Sequence, residues 1–282
     1  MKALITGGSG QLGYDIAKLL KENNTIMYVP THDEMDIINR DSVMKAFNSF
    51  KPDVVFHCAA YTAVDKAEED KDRCFDINVN GTKNIVDASN MYGTKVVYIS
   101  TDYVFHGDKD GVYEINDITD PINYYGYTKY LGEQEVIKNS NNLIVRISWV
   151  FGINGKNFVK TMLKLASSRD EISVVSDQVG SPTYTYDLAK LLVDMVNNNK
   201  SGIYHATNEG YCSWYEFAKY IFEVSGIDIR VNPILTKDYI TLAKRPLNSK
   251  LSKDKLDEEG LTRLPDWKDA TKRYIKVLRK EK

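Results

Sequence analysis

Lys2-Ala3-Leu4-Ile5-Thr6-Gly7-Gly8-Ser9-Gly10-Gln11-Leu12-Gly13 decides the fold of this chain. Its first five residues form a short, mostly apolar run of the kind found in buried strands. Three glycines at three-residue spacing follow (Gly7, Gly10 and Gly13), and an amphipathic segment, Leu12–Glu22, begins among them. Strand, glycine turn and helix in that order make the phosphate-binding start of a βαβ unit. Gly7 permits a tight turn. Gly10 lets a pyrophosphate approach the backbone at the helix N-terminus, and Gly13 lets the helix pack closely on the strand. The spacing alone is a weak signal, and its place after the first strand strengthens it.

Working outward, short runs rich in Val and Ile recur at Thr25–Val29, Val54–Cys58, Val96–Ile99 and Leu143–Trp149. Segments with helical period separate them: Ser42–Phe50, a long one over Glu68–Met91, and Tyr124–Lys138. This alternation predicts an α/β fold, a Rossmann-like doubly wound parallel sheet. The second half is less regular. Asn157–Ser168 and Tyr186–Asn197 read as helices, Ile203–Ala206 as a returning strand and Ser213–Val224 as a capped helix. The expected organisation is a dinucleotide-binding domain over residues 1–150 and a smaller, mainly substrate-binding lobe over 151–282. Segments near 183–206 return to the first domain. From Asp228 onward the sequence is loosely charged and carries Pro233, Pro246 and Pro265, which suits part of that lobe.

Composition narrows the function. The 282 residues are 43% apolar, with 37 basic side chains against 39 acidic ones. A net charge of −2 argues against a nucleic-acid surface. No apolar run approaches the roughly 18 residues of a membrane span, and the N-terminus shows no cleavable apolar region. Cys58, Cys74 and Cys212 have no metal-type spacing, nor do the four histidines, 32, 57, 106 and 205. A cytoplasmic protein with no nucleic-acid, membrane or metal partner is expected. The 19 tyrosines are an unexplained surplus.

The tip of the second strand normally declares the coenzyme, an acid for the NAD ribose or a base for the NADP phosphate. Here Val29 is followed by Pro30, Thr31 and His32, so NADH and NADPH both remain open.

Reducing a ketone needs a hydride on carbon and a proton on oxygen. Tyr-x-x-x-Lys supplies the proton when a lysine ammonium lowers the phenol pKa, which is near 10 when free. The motif occurs at Tyr14/Lys18, Tyr125/Lys129, Tyr186/Lys190 and Tyr215/Lys219. Only Tyr125/Lys129 opens a helix soon after Ser100-Thr101-Asp102 at the end of the fourth strand, where the ligand crevice of an open α/β sheet lies. On that helix Lys129 shares a face with Tyr125, and Thr101 offers a hydroxyl to the carbonyl oxygen.

The glycine spacing resembles that of extended short-chain dehydrogenase/reductases. Further blocks resemble the dTDP-4-dehydrorhamnose reductase family more closely. They are Ile99-Ser100-Thr101-Asp102-Tyr103-Val104-Phe105, Ala59-Ala60-Tyr61-Thr62-Ala63-Val64-Asp65-Lys66-Ala67-Glu68, Tyr125-Gly126-x-Thr128-Lys129 and Arg146-x-Ser148-Trp149-Val150. Asn157-Phe158, Asp177-Gln178-x-Gly180-x-Pro182-Thr183 and Arg245-Pro246-x-Asn248-Ser249-x-Leu251 continue the likeness to about residue 256. The resemblance implies an NAD(P)H-dependent reductase acting on a dTDP-linked 4-keto-6-deoxy sugar. Gly7, Gly10, Gln11, Leu12 and Gly13 would hold the pyrophosphate, with Asp36 and Ile37 on the adenine side. Ala59, Ala60, Tyr61 and Ile99 would line the coenzyme. Thr101 and Asp102 would contact the sugar, Tyr125 would give the proton, and Lys129 would bind ribose and tune Tyr125. Trp149 would pack on the substrate, and Arg245 is a candidate for its diphosphate.

Departures accompany the likeness. His57 stands where the family has Asn, and Tyr127 replaces a commoner acidic residue and is expected to face solvent. Some members bind Mg²⁺ through glutamates at a dimer contact. No matching glutamate occurs around Tyr186-Asp187, which puts that Mg²⁺ and that dimer contact in doubt and leaves a homodimer open. Two alternatives stay open. One is a nucleotide-sugar 4-epimerase or dehydratase, although dehydratases carry Asp-Glu where this chain has Asp102-Tyr103. The other is a non-catalytic module like the regulatory subunit of methionine adenosyltransferase.

Overall fold

The computed structural model describes residues 1–280; the last two residues of the expected 151–282 lobe, Glu281 and Lys282, lie outside the described residues. In β1 (Lys2–Thr6) the last four residues are buried, and alternate side chains serve opposite faces of a sheet. The chain then turns through the glycines into α1 (Gln11–Glu22) and continues through β2 (Ile26–Tyr28), α2 (Arg40–Phe50) and β3 (Val54–His57). Next come α3 (Val64–Ala67), α4 (Lys71–Phe75), a π-helical turn over Asp76–Gly81 and α5 (Thr82–Tyr92). After β4 (Lys95–Thr101), α6 (Tyr124–Val136) and β5 (Leu143–Ile147) the pattern changes. There follow β6 (Val150–Phe151), α7 (Phe158–Ala166), β7 (Glu171–Val175), β8 (Val179–Gly180), β9 (Thr183–Tyr184), α8 (Thr185–Asn197) and β10 (Gly202–His205). The chain ends with β11 (Cys212–Ser213), α9 (Trp214–Ser225), β12 (Arg230–Ile234), β13 (Asn248–Ser249), α10 (Asp254–Glu258) and α11 (Trp267–Lys280).

The central sheet has the order β10-β5-β4-β3-β1-β2, with every neighbouring pair parallel. One face buries Ala3, Ile5, Phe56 and Val145 against Leu12, Ile16 and Leu20 of α1 and Leu188, Leu192 and Met195 of α8. The other buries Leu4, Val55, Val96 and Tyr98 against Val43 and Phe47 of α2, Ile85 and Val86 of α5 and Val136 of α6. Both faces are covered, as a parallel sheet requires. A second apolar cluster gathers Phe151, Tyr184, Phe217, Trp267 and Tyr274 around α7, α9 and α11. Asp15 of α1 and Thr185 of α8 share a buried hydrogen bond where the two clusters meet. Among the described residues no helix is long and apolar enough to cross a membrane.

Three local differences from the expected elements have physical causes. The single helix expected over Glu68–Met91 is interrupted by the π turn at Asp76–Gly81. There Asn78 leaves its helical surroundings to clamp a loop, its Oδ1 accepting from the Tyr61 N–H (2.8 Å) and its Nδ2 donating to the Tyr61 carbonyl (3.2 Å) and Thr128 Oγ1 (3.0 Å). Such π turns collect at functional sites. β5 stops two residues short of Trp149, whose φ of +49° is incompatible with extended backbone. α11 is hidden in sequence by its lysines and arginines, yet it buries Trp267, Ala270, Tyr274 and Ile275 along one side. The expected capping of α9 is present: Ser213 Oγ accepts from the Glu216 N–H and the Glu216 carboxylate accepts from the Ser213 N–H.

Candidate active site

The strand order reverses between β1 and β3, and ligand crevices of open α/β sheets form at the carboxyl ends of strands at such a switch. A cleft of about 1110 Å³ lies there, lined by the glycine turn, by the loops after β2, β3, β4 and β5, and by α6. The glycines are required by close approach. Gly7 has φ +68°, and a Cβ on it would sit 2.7 Å from the Ala59 nitrogen. A Cβ on Gly13 would stand 2.4 Å from the Gly7 carbonyl oxygen, so the start of α1 is held against the turn. Gly13 itself does not line the cleft; Gly7, Gly10, Gln11 and Leu12 do. The bare backbone at an amphipathic helix N-terminus, opening on a cleft this long, fits a dinucleotide. At the β2 end the walls are Val29, Pro30, Thr31, His32, Asp36 and Ile37, and the His32 imidazole lies 3.7 Å from the Asp36 carboxylate.

The other end gathers Ile99, Thr101, Asp102, Tyr103, Tyr125 and Lys129. Asn123 caps α6 by accepting from the Gly126 N–H (2.8 Å), and Glu68 accepts from the Tyr124 N–H (2.8 Å), fixing where the helix begins. Tyr125 meets the Tyr103 ring edge-on, with centroids 5.9 Å apart. One turn on, Lys129 stacks its ammonium over Tyr98 at 4.0 Å. The helix is anchored to β5 by a buried bidentate pair, Arg146 to Glu133, at 2.9 and 2.8 Å. Gly126 explains the glycine in Tyr125-Gly126-x-Thr128-Lys129: a Cβ there would fall 2.1 Å from the Tyr103 carbonyl oxygen. In Gly126→Ala the start of α6 must therefore move away from the turn that follows β4. Turnover is expected to fall by about 10²-fold, as a misplacement near 1 Å can do, with coenzyme affinity retained. Steady-state kinetics and a binding titration check this, and unchanged turnover would count against the proposed positioning.

Burial dominates the electrostatics. Asp102 is 4% exposed; Thr101 Oγ1 donates to its Oδ1 (2.9 Å) and its Oδ2 has no partner. Burial raises its carboxyl to about 6, opposed by the neighbouring Ser249 and Thr101 hydroxyls. Burial also pushes the Tyr125 phenol up, helped by the Asp102 charge and opposed by the Thr101 hydrogen bond. Burial pulls Lys129 down to about 7. The lowered phenol pKa expected from sequence is thus absent from this arrangement, because desolvation outweighs the charge. A raised value suits an acid that must keep its proton until it is needed.

Asp102 gives a stability test. Its folded carboxyl binds a proton more tightly than the unfolded one, about 6 against about 3.9. The associated stabilisation is complete below the unfolded value and is lost as pH rises through the folded one. Asp102→Asn removes the buried charge, so it is expected to stabilise the fold at pH 7 by about 2 kcal/mol, with the gain shrinking towards pH 4. Denaturant midpoints at the two pH values measure it, and an equal difference at both would refute it.

Trp149 lines the cleft from a left-handed backbone position and stacks on Trp214, centroids 3.7 Å apart and planes 13° apart. A strained residue in a cleft points to a site rather than to core packing. Trp214 was not singled out from sequence; as the first residue after the Ser213 cap, it had a place at a helix start that could have flagged it. Ala59 and Ala60 line the cleft, whereas Tyr61 does not: its hydroxyl donates to Asp70 (3.3 Å). Arg245 also lies off the cleft wall, bidentate on Asp65 of α3 at 3.0 and 2.6 Å. His57 is a packed histidine, buried between Thr6 Oγ1 (2.8 Å) and Thr82 Oγ1 (3.1 Å), and Tyr127 is exposed. Tyr186/Lys190 and Tyr215/Lys219 are cation–π pairs along α8 and α9, away from the cleft.

Fold and site together define an extended short-chain dehydrogenase/reductase: a glycine-turn Rossmann sheet with Thr, Tyr and Lys at its carboxyl edge. The model of the RmlD substrate binding domain matches residues 1–280. The chain belongs to the dTDP-4-dehydrorhamnose reductase family. It is 41% identical to the dTDP-4-dehydrorhamnose reductase of Aggregatibacter actinomycetemcomitans, over 96% of this chain and 97% of that one. The crystal structure of a dTDP-4-dehydrorhamnose reductase from Clostridium acetobutylicum superposes with a TM-score of 0.97, at 43% identity, covering 99% of this chain and all of that one. The Bacillus anthracis dTDP-4-dehydrorhamnose reductase, solved in complex with NADP, gives 0.96 at 40% identity, covering 98% and 99%.

Proposed function

We propose that this protein reduces the 4-keto group of dTDP-4-dehydro-6-deoxy-L-mannose to give dTDP-L-rhamnose, using NADPH or NADH. The observation that carries this is the meeting of Tyr125, Thr101 and Lys129 at one end of a cleft that begins at the glycine turn. Residues 1–150 would hold the coenzyme and the later chain would close on the sugar nucleotide, with 183–206 returning to the core. Gly7, Gly10, Gln11 and Leu12 would receive the coenzyme pyrophosphate, Asp36 and Ile37 would face adenine, and Ala59, Ala60 and Ile99 would flank the nicotinamide half. A bound reduced nicotinamide supplies the hydride. Tyr125 donates its proton to the oxygen that becomes the new hydroxyl. Thr101, its hydroxyl turning from Asp102 to the substrate, holds that oxygen beside the phenol, and Asp102 orients the sugar. Lys129 steadies the phenolate left behind. Trp149, braced by Trp214, packs on the sugar face, and Arg245 joins the lobe to α3 through Asp65. The chain would act in the cytoplasm, without a nucleic-acid or membrane partner.

Incubation with dTDP-4-keto-6-deoxy-L-lyxo-hexulose and each coenzyme in turn, followed by nicotinamide absorbance, tests this. Oxidation of at least one coenzyme, dependent on the sugar, is expected. Coenzyme that binds but is never oxidised would remove the reductase assignment.

A further inference from the structure

The cleft must accept two diphosphate groups, one in each nucleotide, if the proposed function holds. Backbone N–H groups at the glycine turn carry only partial charge, and Arg245 is already neutralised by Asp65. Three Lys or Arg side chains line the cleft: Arg73, Lys129 and Lys156. Lys129 serves the reacting end. Lys156 alone of the three sits on a segment hydrogen-bonded to the glycine turn among the described residues. That segment, 152–157, is stitched down at several points. Asn154 Nδ2 donates to the Ser9 carbonyl (2.7 Å), and Asn157 Nδ2 donates to Gln11 Oε1 (3.0 Å) and to the Gly152 carbonyl (2.8 Å). Lys160 Nζ holds the Ile153 carbonyl and, at 3.0 Å, the Gly155 carbonyl. Gly155 has φ +74°, and a Cβ on it would lie 3.4 Å from Gln11 Cγ, so the loop rides directly on the turn. Lys156 itself is exposed and has no carboxylate or carbonyl partner among the described residues.

We infer that Lys156 is a diphosphate-binding residue, carried by the 152–157 loop over the glycine turn to supply the full positive charge that the turn lacks. The inference rests on the proposed use of a dinucleotide and a dTDP-sugar. A fixed loop with a free ammonium suits a diphosphate as a point charge. Its substitution acts on binding rather than on chemistry, because Lys156 is not among the residues gathered around Tyr125.

Binding is read directly by tryptophan fluorescence, since Trp149 and Trp214 line the cleft. Wild type, Lys156→Gln and Lys156→Arg are titrated separately with NADH, dTDP and thymidine. In Lys156→Gln the Kd for NADH or for dTDP is expected to rise about fivefold or more. Lys156→Arg should recover most of the loss, and thymidine, which has no phosphate, should bind all three proteins alike. A change confined to NADH assigns Lys156 to the coenzyme pyrophosphate, and one confined to dTDP assigns it to the sugar nucleotide. Unchanged Kd values for both, or an arginine variant as impaired as the glutamine one, would overturn the inference. A wild-type protein that binds neither ligand would overturn the proposed function itself.

Discussion

Tyr125→Phe is expected to lose about 10²- to 10⁴-fold in turnover, the range for removing a positioned general acid. The substitution deletes one oxygen and leaves the ring. That ring packs edge-on against Tyr103, and the helix it opens is fixed by Asn123, Glu68 and the Arg146–Glu133 pair rather than by the phenol hydroxyl. Coenzyme affinity should therefore stay within about twofold of wild type, a change of under half a kcal/mol. Rapid-mixing kinetics with both substrates saturating, beside a coenzyme titration, separates the two quantities. Full turnover in the variant would remove Tyr125 as the acid. Loss of coenzyme binding together with turnover would show a structural role instead.

Lys129→Met is expected to behave differently, lowering turnover by about 10²-fold and weakening coenzyme binding as well. Methionine keeps an unbranched stem against Tyr98, so packing is largely preserved. What disappears is the cation on the face shared with Tyr125. Stability should move the other way. Lys129 is 2% exposed, and burial takes its ammonium down to about 7, from about 10.4 in the unfolded chain. A depressed folded value means that stability present above pH 10.4 is lost as pH falls towards 7. The methionine variant escapes that loss, so at pH 7 it should unfold at higher denaturant concentration than wild type, with the difference closing as pH approaches 10. A stabilised, poorly active variant is the signature of a functional lysine held in an unfavourable place.

Much of this was legible in the residues. The glycine turn, the buried strand runs and the place of Tyr125 after Ser100-Thr101-Asp102 were enough for the parallel sheet and for the group of side chains at its carboxyl edge. They were legible because strand and helix periods, and the need for bare backbone at a phosphate, are local properties. The surplus of tyrosine misled as much as it helped, since spacing repeats by chance where two residue types are common and only position in the βαβ order separates the copies. What sequence did not yield was set by tertiary contact. The π turn at Asp76–Gly81 depends on a loop that Asn78 reaches across space. The early end of β5 depends on the left-handed backbone of Trp149. Trp214 joins the site only because α9 brings it onto Trp149, and Arg245 meets Asp65 across 180 residues of chain. The raised phenol of Tyr125 follows from the depth of the cleft, which no spacing rule reports.

The most direct measurement follows one hydrogen. NADPH or NADH carrying deuterium at the transferable C4 position is incubated with the protein and the dTDP-linked 4-keto-6-deoxy sugar, and the product is read by NMR. Deuterium at C4 of the sugar, with one coenzyme oxidised per sugar reduced, is the predicted result. A sugar converted without net oxidation of coenzyme, as an epimerase or dehydratase would do it, or a deuterium-free C4, would contradict it.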